Sequence, residues 1–159
     1  MLFEGTDQFG RLQPLLGTVD LSASGPSTDG TFLWDDPTTE MPALGSTEIW
    51  EVHNATEDAH PIHLHLVQFQ ILNRQRFSAT VIPKASAGGT VGGFLRNVRY
   101  RGAAKPPGAY EAGFKDTAIM YPGEVTRVVA TFDKPGQWVW HCHILSHEDH
   151  EMMRRFVVS

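Results

Sequence analysis

Apolar positions along the chain fall into short runs broken by turn residues, with no long stretch of helical period. In HLHLVQFQILN (63–73), Val67, Phe69 and Ile71 point one way and Gln68 and Gln70 the other, the period-2 mark of a half-buried strand. Further strands are predicted at PLLGTVD (14–20), TFLWDD (31–36), GSTEIWEVHN (45–54), GEVTRVVATF (123–132) and GQWVWHC (136–142), and RRFVVS closes the chain. Turn chemistry bounds them: YPG before 123, KPG before 136, and a Ser/Gly/Pro loop, LSASGPSTDG, over 21–30. Only HILSHEDHEMM suits a helical turn or two. About seven short strands without a long amphipathic helix predict an all-β domain, a sandwich or small barrel.

One segment, 82–113, runs about thirty residues with little periodicity and is expected to be a long loop. It would be a surface excursion, or it would shape a substrate entrance with Arg96, Arg99 and Arg101 as local positive charge. Composition adds limits. The 159 residues suit one domain, 1–159, burying about 70% of its unfolded surface. A formal charge of -5 argues against nucleic acid as a partner. One cysteine forbids an internal disulfide. No apolar run approaches the ~18 residues of a membrane span, and the start shows no signal peptide, so a soluble protein of unknown compartment is expected.

The candidate chemistry lies in two windows, HPIHLH (60–65) and HCHILSH (141–147), which hold six of the eight histidines. In a strand, side chains at i and i+2 share a face. His63 and His65 therefore point together, as do His141 and His143, while Cys142 points the other way with Trp138 and Trp140. Parity sets His60 opposite to His63 and His65. If the two strands are neighbours, Cys142, His60, His147 and a methionine, Met152 or Met153, form one environment near an aromatic core. His63, His65, His141 and His143 form a second. A His2Cys set with a weak axial Met is the blue-copper electron-transfer arrangement, and an all-imidazole set suits copper handling oxygen, or zinc. Cys142 is bonded in sequence to both His141 and His143, so the backbone itself links the two environments. Six histidines buried unpaired would be too costly to serve as core filler.

HPIHLHLVQF and WHCHILSHEDHEMM resemble the two C-terminal copper motifs of multicopper oxidases, with the nearest likeness to bacterial spore-coat laccases, bilirubin oxidases and phenoxazinone synthases. GSTEIWEVHN, FKDTAIMYPGEV and GQWVWHCHI also look like the last cupredoxin domain of that family, implying a cupredoxin-like Greek-key β-sandwich. By resemblance, His60, Cys142 and His147 would bind type 1 copper with Met152 as axial ligand. His63 would serve the type 2 copper, and His65, His141 and His143 the type 3 pair. Glu148 matches an acid that helps deliver protons in oxygen reduction. His53 and His150 match no ligand position.

There is one large departure. The family's three-copper cluster needs eight histidines, four of them from an N-terminal domain, and this chain has only the His63/His65 and His141/His143 pairs to offer. Half the cluster is missing, so a partner domain or further copies of the chain would have to complete it. The resemblance thus implies a laccase-like oxidase domain that takes single electrons from phenolic or aromatic substrates and passes them toward O2. The alternatives are a stand-alone blue-copper electron carrier and a plain copper or zinc module.

Overall fold

The structure, a computed structural model, describes residues 1–22 and 28–159. Alternating apolar runs become strands in two facing antiparallel sheets. In chain order they are β1 (Leu2–Thr6), β2 (Leu12–Thr18), β3 (Gly30–Phe32), β4 (Thr47–His53), β5 (His60–Leu64), β6 (Phe69–Ala85), β7 (Val91–Lys105), β8 (Thr117–Met120), β9 (Glu124–Thr131), β10 (Gly136–Cys142) and β11 (Met153–Val158). One short helix, α1 (Leu145–Glu148), lies within the expected helical stretch. The seven-stranded sheet has the order β3-β2-β1-β7-β6-β9-β4, and the four-stranded sheet β11-β10-β5-β8. The loop expected over 21–30 includes 23–27, which lie outside the described residues.

The structure differs from the sequence pattern in two places. The segment 82–113, expected as a long loop, is mostly a hairpin. β6 runs on to Ala85, β7 returns to Lys105, and Gly88 and Gly89, at φ +67° and +82°, make the turn. β7 buries only Gly92, Gly93 and Leu95, so no alternation of large apolar side chains marks it. Arg96, expected to lend this segment free charge, is instead clamped by Asp29 through two bonds of 2.9 Å. The run 63–73 also divides. Leu66 takes a left-handed φ of +76° and sends the chain from β5 in the small sheet to β6 in the large one.

A single buried cluster joins both sheets, with Leu16, Val52, Phe69 and Val128 from the large one and Ile62, Leu64 and Trp140 from the small one. Trp50 anchors it: its ring lies 5.6 Å from Phe132, 6.0 Å from Trp140 and 5.8 Å from Phe156. Such aromatic pairs each add roughly 0.5–1.5 kcal/mol beyond the area they bury. This packing fixes β10 from below, and β10 carries Cys142. No helix among the described residues is long and apolar enough to cross a membrane.

His53, at the end of β4, sits against this core between Phe77 and Tyr100, with Nε2 3.2 Å from the Tyr100 hydroxyl. Burial lowers its pKa to about 4. The unfolded chain, with an ordinary histidine at roughly 6.5, binds a proton between those values that the folded chain does not. Stability is therefore fully present above that window and falls as pH drops through it. Urea midpoints measured between pH 7 and pH 4 should fall, and His53→Gln should flatten the slope.

Candidate metal centre

The pairing of β5 with β10 sets the two histidine windows against each other. Trp140 lies opposite Leu64, His141 opposite His63, and Cys142 opposite Ile62. Strand alternation then sorts the donors. His60, Ile62, Leu64, Trp140 and Cys142 turn into the core, and each is at most 4% exposed. His63, His65, His141 and His143 fall on the opposite face.

The inward donors converge. Sγ of Cys142 lies 3.7 Å from Nδ1 of His60 and 3.8 Å from Nδ1 of His147, and the two nitrogens are 3.3 Å apart. Ligands bonded at about 2.0–2.3 Å to one shared ion stand about 3.3–3.8 Å apart in a trigonal or tetrahedral shell, so the trio fits a single transition ion. One sulfur with two imidazoles is a copper donor set. His147 arrives from α1, where its N–H donates to the Ile144 carbonyl at 2.9 Å and folds the chain back over Cys142. The register also separates the two methionines. Met153 lies opposite His141, on the outward side, while the Cys142 N–H donates to the Met152 carbonyl at 3.0 Å. Met152 is fully buried in the same cluster as Cys142.

With Nδ1 turned toward the cysteine, His60 carries its proton on Nε2 and donates to Oγ of Thr56 at 2.8 Å. That hydroxyl donates to Oδ1 of Asn54 at 2.8 Å, and the Asn54 amide donates to the carbonyls of Met120 at 2.9 Å and Asp58 at 2.7 Å. The network fixes both the tautomer and the ring orientation. Neither Asn54 nor Thr56 was singled out from the sequence, although short polar side chains in NATEDAH just before His60 are the types that bond locally to backbone. Burial, helped by the neighbouring His147, lowers His60 to about 4, so the imidazole is neutral at pH 7. Burial pushes the Cys142 thiol up, so a bound metal ion is needed to hold it as thiolate.

The outward set is all imidazole. Donor nitrogens of His63, His65 and His141 lie within 4.8 Å of one another, and the Nε2 atoms of His65 and His141 are 3.2 Å apart. The exposed His143 ring is 5.8 Å from that of His63 and 5.5 Å from that of His141. Nδ1–H of His63 donates to the Asp116 carbonyl at 2.9 Å, and Nδ1–H of His141 to the Cys142 carbonyl at 3.0 Å. Each keeps an Nε2 lone pair for a metal. Glu148 Oε2 stands 3.2 Å from Nδ1 of His141, but that proton is spent on the Cys142 carbonyl, which leaves the carboxylate oxygen buried without a hydrogen bond among the described residues. His53 lies in the core and His150 in the turn after α1, and neither joins a donor group among the described residues.

Two donor sets back to back on adjacent strands define a copper protein of the cupredoxin type, and comparison with known proteins gives its family. The multicopper oxidase family profile matches residues 12–159. The chain is 48% identical over 122 residues to a laccase of Bacillus subtilis, covering 76% of this chain and 22% of that laccase. It is 39% identical over 132 residues to a laccase of Haloferax volcanii, covering 82% and 18%. The solved McoA multicopper oxidase from the hyperthermophile Aquifex aeolicus superposes with a TM-score of 0.55 at 29% identity, over 79% of this chain and 22% of that one. The chain belongs to the multicopper oxidase family and is laccase-like. It spans about a fifth of the length of these relatives.

Removing the support behind His60 should show in metal binding. Thr56→Val is expected to weaken copper affinity about 10- to 100-fold. Titration against a competing chelator reads that loss, and an unchanged affinity would contradict a positioning role for Thr56.

Proposed function

We propose that this chain is the electron-accepting C-terminal domain of a laccase-like multicopper oxidase. The observation that carries the reading is the convergence of Cys142, His60 and His147 within reach of one ion, back to back with an all-histidine face. His60, Cys142 and His147, together with Met152, would hold type 1 copper. His63 contributes to the type 2 site, and His65, His141 and His143 to the type 3 pair. Copper at these sites supplies one-electron redox chemistry between an aromatic reductant and O2.

The residues divide the work. His60 is fully buried, so the half-buried His147 offers the edge through which a phenolic or aromatic donor delivers its electron. Cys142 passes it along the main chain to His141 and His143, and its carbonyl also accepts the hydrogen bond from the His141 ring. Glu148, beside His141, would hold a proton for oxygen reduction. Four further histidines come from an N-terminal cupredoxin domain, because the chain's own two His-X-His pairs account for only half of the eight required. A second reading, a blue-copper electron carrier without oxidase activity, is favoured by one observation: the inward set is complete within this chain and the outward set is not.

Anaerobic addition of a phenol to the copper-loaded chain should bleach an intense blue absorption, and steady oxygen consumption should follow only when a complementary N-terminal domain is supplied. Cys142→Ser should abolish the blue band and leave the circular dichroism spectrum unchanged. Blue colour retained in that variant would overturn the type 1 assignment. Turnover by the chain alone would overturn the need for a second domain.

A further inference from the structure

Positive charge in this acidic chain is concentrated on one hairpin. β6 and β7 carry Arg74, Arg76, Lys84, Arg96, Arg99, Arg101 and Lys105, seven of the chain's 13 Lys and Arg residues, with no Asp or Glu between Phe69 and Lys105. Three of the seven are already satisfied. Arg96 is held by Asp29, Lys84 donates to the carbonyls of Asp29 and Thr31, and Arg74 makes a bidentate pair with the buried Glu111 at 2.7 and 2.8 Å. Among the described residues Arg76, Arg101 and Lys105 make no ion pair, yet all three line one open cleft of about 830 Å³.

The lining of the cleft combines a buried ion pair with aromatic rings. The Arg74–Glu111 pair lines it, and Arg74 also donates to the Ile119 carbonyl at 3.0 Å and lies 5.0 Å from the centre of the Tyr121 ring. Tyr121 and the 78% exposed Tyr110 give two aromatic surfaces. Arg76 stands directly opposite Arg101 across the β6–β7 pairing. Like charges in that relation destabilise a sheet unless something neutralises them. Glu124 lies opposite Arg76 on the other side and also lines the cleft, which leaves two cations in excess among Arg76, Arg101, Lys105 and Glu124.

We infer that this cleft is a binding site for an aromatic acid carrying two or more negative groups. Guanidinium groups on paired strand positions present forked donors suited to carboxylate or sulfonate oxygens, and the tyrosines suit a ring between them. The volume is that of a small-molecule site. The inference draws on none of the copper donors, so it stands or falls separately from the proposed oxidase role.

Isothermal titration of the full chain at low ionic strength with naphthalene-1,5-disulfonate, and separately with inorganic phosphate, tests it. Saturable one-site binding is expected, weakened about tenfold or more by Arg76→Gln or Arg101→Gln, each of which removes a charged hydrogen bond. Lys134→Gln, the same loss of charge outside the cleft, should leave binding unchanged. Both arginines are exposed, and matching thermal midpoints will show that the variants fold. Absence of saturable binding, equal binding by the arginine variants, or an equal loss in Lys134→Gln would overturn the site. Phosphate binding as tight as the disulfonate would overturn its aromatic preference.

Discussion

The antiparallel pairing of β5 with β10 is the contact on which the donor geometry depends. It places His141 opposite His63 and Cys142 opposite Ile62, and strand alternation then turns one cysteine and one histidine inward while sending four histidines outward. A slip of one residue would exchange the faces, burying imidazoles and exposing the thiol. The register is held by what lies beneath it. Trp140 packs on Trp50, and Trp50 also packs on Phe132 and Phe156, so the aromatic cluster locks β10 in place before any metal is bound.

The two faces are supported differently. The inward trio sits in an apolar core, where burial keeps His60 neutral and Cys142 protonated, and one hydrogen-bonded chain from Thr56 to Asn54 orients the His60 ring. A site of this kind is preorganised for an ion but needs its charge to release the thiol proton. Of the outward histidines, His63 and His141 are oriented by the main-chain carbonyls of Asp116 and Cys142, and the Nε2 of His141 faces that of His65 at 3.2 Å. The chain spans about a fifth of the length of its relatives. The backbone at Cys142 belongs to both sites, so whatever moves this strand moves both donor sets.

Much of this was legible in the sequence, for physical reasons. Alternation in GQWVWHC assigned Trp140 and Cys142 to one face and His141 to the other, and the Val67, Phe69 and Ile71 pattern matched their burial. The β6–β7 hairpin was not legible, because glycine and exposed polar residues leave no hydrophobic period on β7. Leu66 in a left-handed conformation has no local signature, so one apparent strand hid a crossing between sheets. Residue spacing could not separate Met152 from Met153; in the fold Met153 lies opposite His141, while Met152 is buried in the same cluster as Cys142. Long-range pairs such as Arg74 with Glu111, 37 positions apart, leave no trace in a linear reading.

The central claim is that Cys142, His60 and His147 hold one copper ion through a thiolate. Copper stoichiometry with visible absorption and electron paramagnetic resonance on the same sample tests it most directly. The account predicts about one tightly held copper per chain, intensely blue, with the narrow hyperfine splitting of a copper–thiolate site. A colourless protein, or copper with the wide splitting of all-nitrogen ligation, would contradict it.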